Sequence, residues 1–262
     1  MTTRADPAFL DLGDVRLEYV SHGTTNPDTP TFVLLHEGLG CVGLWGDFPE
    51  RLATVSGARV VAYSREGYGA SDPVALPRPL DYMQRHASAV LPRVLDRLGV
   101  GRFALVGHSD GASIAASYAA ARKDGRLRCL TLIAPHFFVE DMALAEIRNA
   151  KTAYETTDLR QKLARWHAQV DVAFRGWNDA WLDPEFKTSF DISDCLPRIS
   201  APVQVIQGED DQYGTIAQVD RARDLTTAPC ETLIMPGIRH APHREARDET
   251  VEAICSFALK YS

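Results

Sequence analysis

The stretch RFALVGHSDGASIAASYAA, residues 102–120, decides how the rest of the chain is read. Phe103 to Val106 is an unbroken apolar run, the pattern of a strand buried on both faces. The small-residue run after Gly111 reads as a helix. Between them Gly107, Ser109 and Gly111 stand at G-x-S-x-G spacing. In such a turn the serine hydroxyl is exposed on a strained backbone, and the glycines let strand and helix pass closely. The helix N-terminus then points backbone N–H groups at any nearby anion. The same letters could mark a turn and nothing more, so the surrounding chain has to choose.

Outward from this stretch, strand and helix signals alternate. FLDLGDVRLEYV (9–20) reads as two short strands around Gly13–Asp14. TFVLLHEG (31–38) is a buried strand closed by glycine. FPERLATVSG (48–57) is a helix with Pro49 in its first turn and Gly57 at its end. RVVAYSREGYG (59–69) is a strand running into a glycine loop. LDYMQRHASAVLPRVLDRLGV (80–100) is a helix strained at Pro92 and stopped at Gly99. LRCLTLIAP (127–135), PVQVIQG (202–208) and ETLIMPG (231–237) are further strands, and REARDETVEAICSFALKY (244–261) is a closing helix. This alternation predicts an α/β fold with a mostly parallel sheet flanked by helices on both faces.

One segment breaks the rhythm. Residues 139–197 show no strand pattern. EDMALAEIRNAKTAYE (140–155), TDLRQKLARWHAQVDVAFRGWNDAWL (157–182) and DPEFKTSF (183–190) read as helices inserted between two strands. The expected organisation is therefore a core of residues 1–138 and 198–262 with an insertion at 139–197.

Composition narrows the function classes. With 45% hydrophobic and 24% charged residues, the 262-residue chain is an ordinary globular sequence. A net charge of −7, without clustered Lys and Arg, argues against nucleic acid as a partner. No apolar run approaches the ~20 residues of a membrane span. MTTRADPAFLDLGD at the N-terminus lacks the apolar stretch of a secretion signal. Cys41, Cys129, Cys195, Cys230 and Cys255 are scattered with no CxxC pair, as expected for reduced thiols in the cytoplasm.

A parallel sheet places ligands beyond the carboxyl ends of its strands. The residues there are His36–Glu37–Gly38, Ser64–Arg65, His108–Ser109–Asp110, Pro135–His136, Glu209–Asp210–Asp211 and Arg239–His240. A serine nucleophile needs a base, and the base needs an orienting acid. In chain order after Ser109 come the acids Glu209, Asp210 and Asp211, then His240 and His243.

In LLHEGLG, YSREGYGASD, LVGHSDGASIA, IQGEDDQYGT and MPGIRHAPH, taken in order, the chain resembles the α/β-hydrolase fold family, and within it the small capped esterase-like members. The resemblance covers essentially the whole chain, and the helical insertion falls where that family carries its cap. It implies that the acid is Asp211 and the base His240, with Asp210 and His243 as runners-up. A minority arrangement of the family would use Glu140 or Asp141. By the same resemblance the oxyanion hole takes backbone N–H groups from Gly38, or else Leu39, and from Asp110. The sequence departs from the family's usual His-Gly dipeptide, since Glu37 follows His36. Glu37 is left as either an anchor for Arg65 or a proton-active group.

A competing motif overlaps that loop. GLGCVG (38–43) has the letters of a dinucleotide-binding G-x-G-x-x-G. Such a site needs a helix that begins inside the motif, and here Gly46 and Pro49 delay it. No cofactor and no metal are expected. Trp166, Phe174, Trp177, Trp181, Phe186 and Phe190 crowd the insertion. They read mostly as glue between insertion and core, with Trp177, Trp181 and the loop residue Trp45 as candidate substrate contacts.

The expected activity is hydrolysis of a small, partly apolar ester through an acyl-enzyme. Carbon–carbon bond hydrolysis of a diketone-like acid and cofactor-free perhydrolysis are alternatives on the same triad. A dehalogenase would need an aspartate where Ser109 stands. A non-catalytic binding protein of this fold would have no need of three ordered site residues. The partner is a small-molecule ester; a homodimer is left open.

Overall fold

Alternate residues of the central strands enter opposite cores, and this sets the architecture. Val33, Leu35, Phe103, Leu105, Leu130 and Leu132 join one buried cluster, while Phe32, Leu34, Ala104, Val106, Cys129 and Ile133 join the other. A strand whose two faces are both apolar must be covered on both sides. The computed structural model describes residues 8–25 and 28–261. The first residues of the stretch read for a secretion signal lie outside that range.

Eight strands form one sheet. They are β1 (Ala8–Asp11), β2 (Arg16–His22), β3 (Thr31–Leu35), β4 (Val60–Tyr63), β5 (Phe103–His108), β6 (Leu127–Ile133), β7 (Val203–Gly208) and β8 (Cys230–Met235). Their spatial order is β1-β2-β4-β3-β5-β6-β7-β8. β2 pairs antiparallel with β1 and β4, and every pairing from β4 through β3 to β8 is parallel. The parallel strands therefore end on one side of the sheet, which gathers the loops that follow them.

Helix α1 (Phe48–Ser56) covers the second face together with the closing helix. Pro49 stands in its first turn, and Gly57 closes it in the left-handed conformation at φ 64°, where a side chain would be strained. The 80–100 segment folds as α2 (Tyr82–Arg85) and α3 (Leu91–Arg97) joined by a π-turn over His86–Val90. Pro92 cannot donate to the helical ladder, and its ring crowds the preceding turn. The widened turn just before it absorbs both effects. Helix α4 (Asp110–Ala121) follows the serine directly.

The insertion is helical: α5 (Asp141–Thr156), α6 (Leu159–Leu163), α7 (Val170–Leu182) and α8 (Phe186–Ser189). The expected single helix over 157–182 is corrected here, because the chain breaks between α6 and α7. His167 is pulled out of the helical path. Its Nδ1 accepts from the Gly69 N–H at 3.0 Å, its Nε2 donates to the Leu39 carbonyl at 3.1 Å, and the Ala168 N–H donates to the Gly69 carbonyl at 2.8 Å. These core contacts outweigh the helical pattern. The chain ends with α9 (Ile216–Leu225), α10 (Pro242–Glu245) and α11 (Arg247–Lys260), whose Val251, Ile254 and Ala258 form the buried stripe. No described helix is long and apolar enough to cross a membrane.

Candidate active site

Ser109 joins β5 to α4 at φ 55° and ψ −119°, a backbone state that a non-glycine residue keeps only when its surroundings hold it. The flanking glycines show how. A Cβ on Gly107 would stand 2.3 Å from the Gly111 carbonyl oxygen, and one on Gly111 would stand 2.0 Å from that of Leu35. Strand and helix thus cross at backbone contact. The Ser109 N–H donates to Ile133 at 2.9 Å, and the Ser109 carbonyl accepts from Ala112 at 2.8 Å and Ser113 at 3.1 Å. The turn is fastened on both sides.

Asp211 sits on the loop after β7 and His240 on the loop after β8. His240 Nδ1 donates to Asp211, 2.8 Å from Oδ2 and 2.9 Å from Oδ1. Gln207 Nε2 donates to Oδ2 at 2.7 Å, and the N–H groups of Tyr213 and Gly214 donate to Oδ1 at 2.7 and 3.3 Å. Burial pushes the Asp211 carboxyl up, but His240 and the Tyr213 N–H together bring it below the usual value. Because both carboxylate oxygens accept, the imidazole proton resides on Nδ1 and Nε2 is free to take another. His240 and Ser109 line one cavity of about 110 Å³. His108 Nε2 donates to the His240 carbonyl at 2.8 Å, and this bond steadies the loop.

The loop after β3 is tied down by its carbonyls. Arg65 Nη1 donates to the His36 carbonyl at 2.9 Å, and Nη2 donates to that of Glu37 at 3.0 Å. The Arg65 N–H donates to His36 Nε2 at 3.0 Å, so the His36 proton lies on Nδ1, which donates to the Glu37 carbonyl at 2.7 Å. The Gly40 N–H reaches the same carbonyl at 3.1 Å. A trans peptide points its C=O and N–H in opposite directions. With the Glu37 carbonyl held toward Arg65, the Gly38 N–H faces the other way, and Gly38 is part of the cavity wall. Leu39 lines the cavity as well. Asp110 opens α4, so its N–H has no partner within the helix.

Trp177 and Trp181 of α7 line the same cavity. A Cβ on Gly38 would lie 2.2 Å from Trp177 Nε1, so ring and loop are in direct contact. Trp45 needs correcting as a substrate contact. It lies in a 3₁₀ turn over Val42–Trp45, is buried, stacks on Phe48 at 5.6 Å and meets the His243 ring at 4.9 Å. It belongs to the core beneath the loop, away from the cavity lining. His243 is buried among Trp45, Phe48 and His108, and burial holds it neutral, well below the ordinary imidazole value. Asp210 is exposed. Glu140 accepts from Thr215 and Gln218, and Asp141 pairs with Lys187. None of these four reaches His240.

Glu37 is no anchor for Arg65 through its carboxylate, since Arg65 takes its backbone carbonyl. The carboxylate faces His108 at 3.4 Å and Arg244 at 3.7 Å. Burial pushes it up, but His108 and Arg244 pull it well below the usual carboxylate range. His136 and Tyr213 also line the cavity. Burial pushes His136 down to about 3, so it stands there as a neutral imidazole. His136 was legible only as a strand-end residue, and Tyr213 carried no signal. The GLGCVG loop has no cradle for a pyrophosphate. The space beside Gly38 holds Trp177, and a Cβ on Gly40 would lie 2.4 Å from the Glu37 carboxylate. Among the described residues no group of three or more His, Cys, Asp or Glu is arranged to hold a metal ion.

A family model described as "Alpha/beta hydrolase family" matches residues 32–253. Among curated proteins, "Epoxide hydrolase 3" of Siraitia grosvenorii is 31% identical over 147 residues, 55% of this chain and 43% of that protein. The match thus spans less than half of that relative's length. A proline iminopeptidase from Mycobacterium smegmatis superposes with a TM-score of 0.73 at 19% identity, covering 98% of each chain. The enol-lactonase from Burkholderia xenovorans LB400 gives 0.72 at 18% identity, covering 95% of this chain and 99% of that one. At such identities the likeness to the two structures is one of fold.

Proposed function

Because the chain belongs to the alpha/beta hydrolase family, we propose that it is a serine hydrolase cleaving a carboxylic ester of a small, partly apolar substrate. The observation that carries this reading is His240, bound through Nδ1 to Asp211 and lining the cavity that also holds Ser109. Ser109 attacks the ester carbonyl and gives its proton to His240 Nε2. Asp211 keeps the imidazole in the tautomer that can accept it and stabilises the imidazolium that forms. The carbonyl oxygen becomes an oxyanion, held by the N–H groups of Gly38 and Asp110. His240 returns the proton to the leaving alcohol, and a water activated by His240 then releases the acyl group. The helices of 139–197 act as a cap whose Trp177 and Trp181 contact the apolar part of the substrate.

Epoxide opening, the activity in the name of one relative, fits Ser109 poorly. A serine oxygen that attacked an epoxide carbon would form an ether, with no carbonyl for water to attack. An acyl substrate leaves an ester that water can cleave, so the residue at the turn favours acyl chemistry. The test is turnover of short p-nitrophenyl esters by the wild type and by Ser109→Ala. The variant is expected to lose about three orders of magnitude or more while staying folded. Activity near that of the wild type sinks the assignment.

A further inference from the structure

Arg65 is 3% exposed, and its guanidinium serves two structures at once. On one side it holds the carbonyls of His36 and Glu37, so the Gly38 N–H, in the same peptide unit as the Glu37 carbonyl, faces away from the guanidinium. On the other, Nη2 stands 3.8 Å from Asp110 Oδ2. That same oxygen accepts from the Tyr82 hydroxyl, and the hydroxyl accepts from Trp181 Nε1 at 3.1 Å. All four side chains are buried. The chain of contacts therefore runs from the β3 loop through Arg65 to the first residue of α4, and on through Tyr82 to α7 of the insertion.

We propose that Arg65, Tyr82 and Trp181 are positioning residues that fix both halves of the oxyanion hole, so that the insertion supports the chemistry as well as the fit of the substrate. The proposal rests on the serine-hydrolase reading above. When Ser109 adds to the carbonyl, the C=O π-electrons move onto oxygen and the serine proton passes to His240. The two N–H groups stabilise the new charge only if both point at one spot. Arg65 sets the direction of one by gripping the carbonyl of its own peptide unit. The Asp110 carboxylate, clamped between Arg65 and Tyr82, fixes the residue that carries the other. Trp181 orients the Tyr82 hydroxyl, and its ring also lines the cavity. A substrate pressing on that ring presses on the support of the hole.

The experiment compares wild type with Tyr82→Phe, Trp181→Phe and Arg65→Lys. The two Phe variants keep an aromatic ring and lose the hydrogen bond. Arg65→Lys keeps a charge beside Asp110 and cannot grip both carbonyls. The readouts are kcat and KM on p-nitrophenyl acetate, and inhibition by an aryl trifluoromethyl ketone, which forms a tetrahedral adduct on Ser109. Each variant should lose about tenfold or more in kcat, since a misaimed donor forfeits part of what a deleted one does. For Tyr82→Phe and Arg65→Lys, KM should stay within about twofold, and for all three variants the ketone should weaken by the factor that kcat/KM loses. A rise in KM with kcat unchanged in Tyr82→Phe or Arg65→Lys makes these residues substrate contacts and overturns the proposal, as does an unchanged kcat in Trp181→Phe. If Arg65→Lys does not fold, the Phe variants decide. A wild type that turns over no ester, or turnover that survives Ser109→Ala, removes the serine-hydrolase reading itself. Ser109-dependent turnover with unaltered Phe variants removes only the positioning role.

Discussion

Asp211→Asn is a change of one atom, and the structure shows why it cannot be absorbed. Every neighbour of the carboxylate is a donor. Oδ1 receives the N–H groups of Tyr213 at 2.7 Å and Gly214 at 3.3 Å, and Oδ2 receives Gln207 Nε2 at 2.7 Å. His240 Nδ1 donates to both oxygens. An asparagine amide turned one way sets its NH₂ against two backbone N–H groups that cannot rotate. Turned the other way, the NH₂ meets Gln207 and His240, and the imidazole must move its proton to Nε2 to accept from it. That tautomer cannot take the Ser109 proton. In the serine-protease template the same substitution costs about 10⁴-fold in kcat, and a loss of that order is expected here. Stability should fall by about 1–3 kcal/mol, because a charge-assisted bond is weakened inside the protein. Asp210→Asn is the control: the side chain is exposed, and a change within about 0.5 kcal/mol and twofold in kcat is expected. Initial rates on p-nitrophenyl acetate and urea melts measure both. An Asp211→Asn enzyme keeping a tenth of its activity, or a more damaged Asp210→Asn, refutes the reasoning.

Three further outcomes are expected. Gly38→Ala forces a methyl toward the Trp177 ring, where the Cβ would lie 2.2 Å from Nε1; overpacking should cost about 1–3 kcal/mol and kcat should fall with it, whereas unchanged melts and rates would show that the ring gives way freely. Trp177→Ala opens the cavity wall, so preference along a series of p-nitrophenyl esters should move to longer acyl chains; an equal loss on every ester points to packing instead. Asp124 accepts from Arg126 Nη2 at 2.9 Å and from the Tyr118 hydroxyl at 2.7 Å, and Arg126 first, then Tyr118, hold its carboxyl at about 2 against the ordinary 3.8, with burial opposing. A folded value below the unfolded one gives stability that is complete above the unfolded value and lost as pH falls through about 2. After allowance for the partly exposed Arg126, Asp124→Asn should cost about 1 kcal/mol at neutral pH, and urea melts should show the difference shrinking toward pH 2. A difference independent of pH contradicts it.

The ends of β3 to β7 are readable because these strands are buried on both faces, so unbroken apolar runs mark where they stop. That, with the strand read over 231–237, places Ser109, the acids 209–211 and the histidines 240 and 243 at strand ends, and it is the family resemblance that singles out Asp211 and His240 among them. Three features resisted. Trp45 looked like a pocket residue because it follows β3, yet which way a ring turns depends on Phe48 and His243, the latter almost two hundred residues on. The break before α7 comes from His167 bonding to the 39 and 69 loops, and such long-range bonds leave no mark on helical periodicity. Arg65 stood among the strand-end residues, but its partners are backbone carbonyls, which no side-chain pattern discloses.

The parallel sheet also governs when such a site can exist during folding. The hydrogen bond from His108 to the His240 carbonyl joins residues 132 positions apart. Nothing local brings those loops together. β5 must find β6, β6 must find β7 across the whole insertion, and β7 must find β8. Parallel pairing waits for each crossover to close, and such non-local contacts form slowly. Helices α4, α5 and α11 can form from their own segments long before this. Recovery of ellipticity in a refolding chain should therefore run ahead of recovery of turnover. A chain whose β8 is still unpaired keeps most of its secondary structure, while the 240 loop that follows β8 has yet to reach the Asp211 and His108 loops.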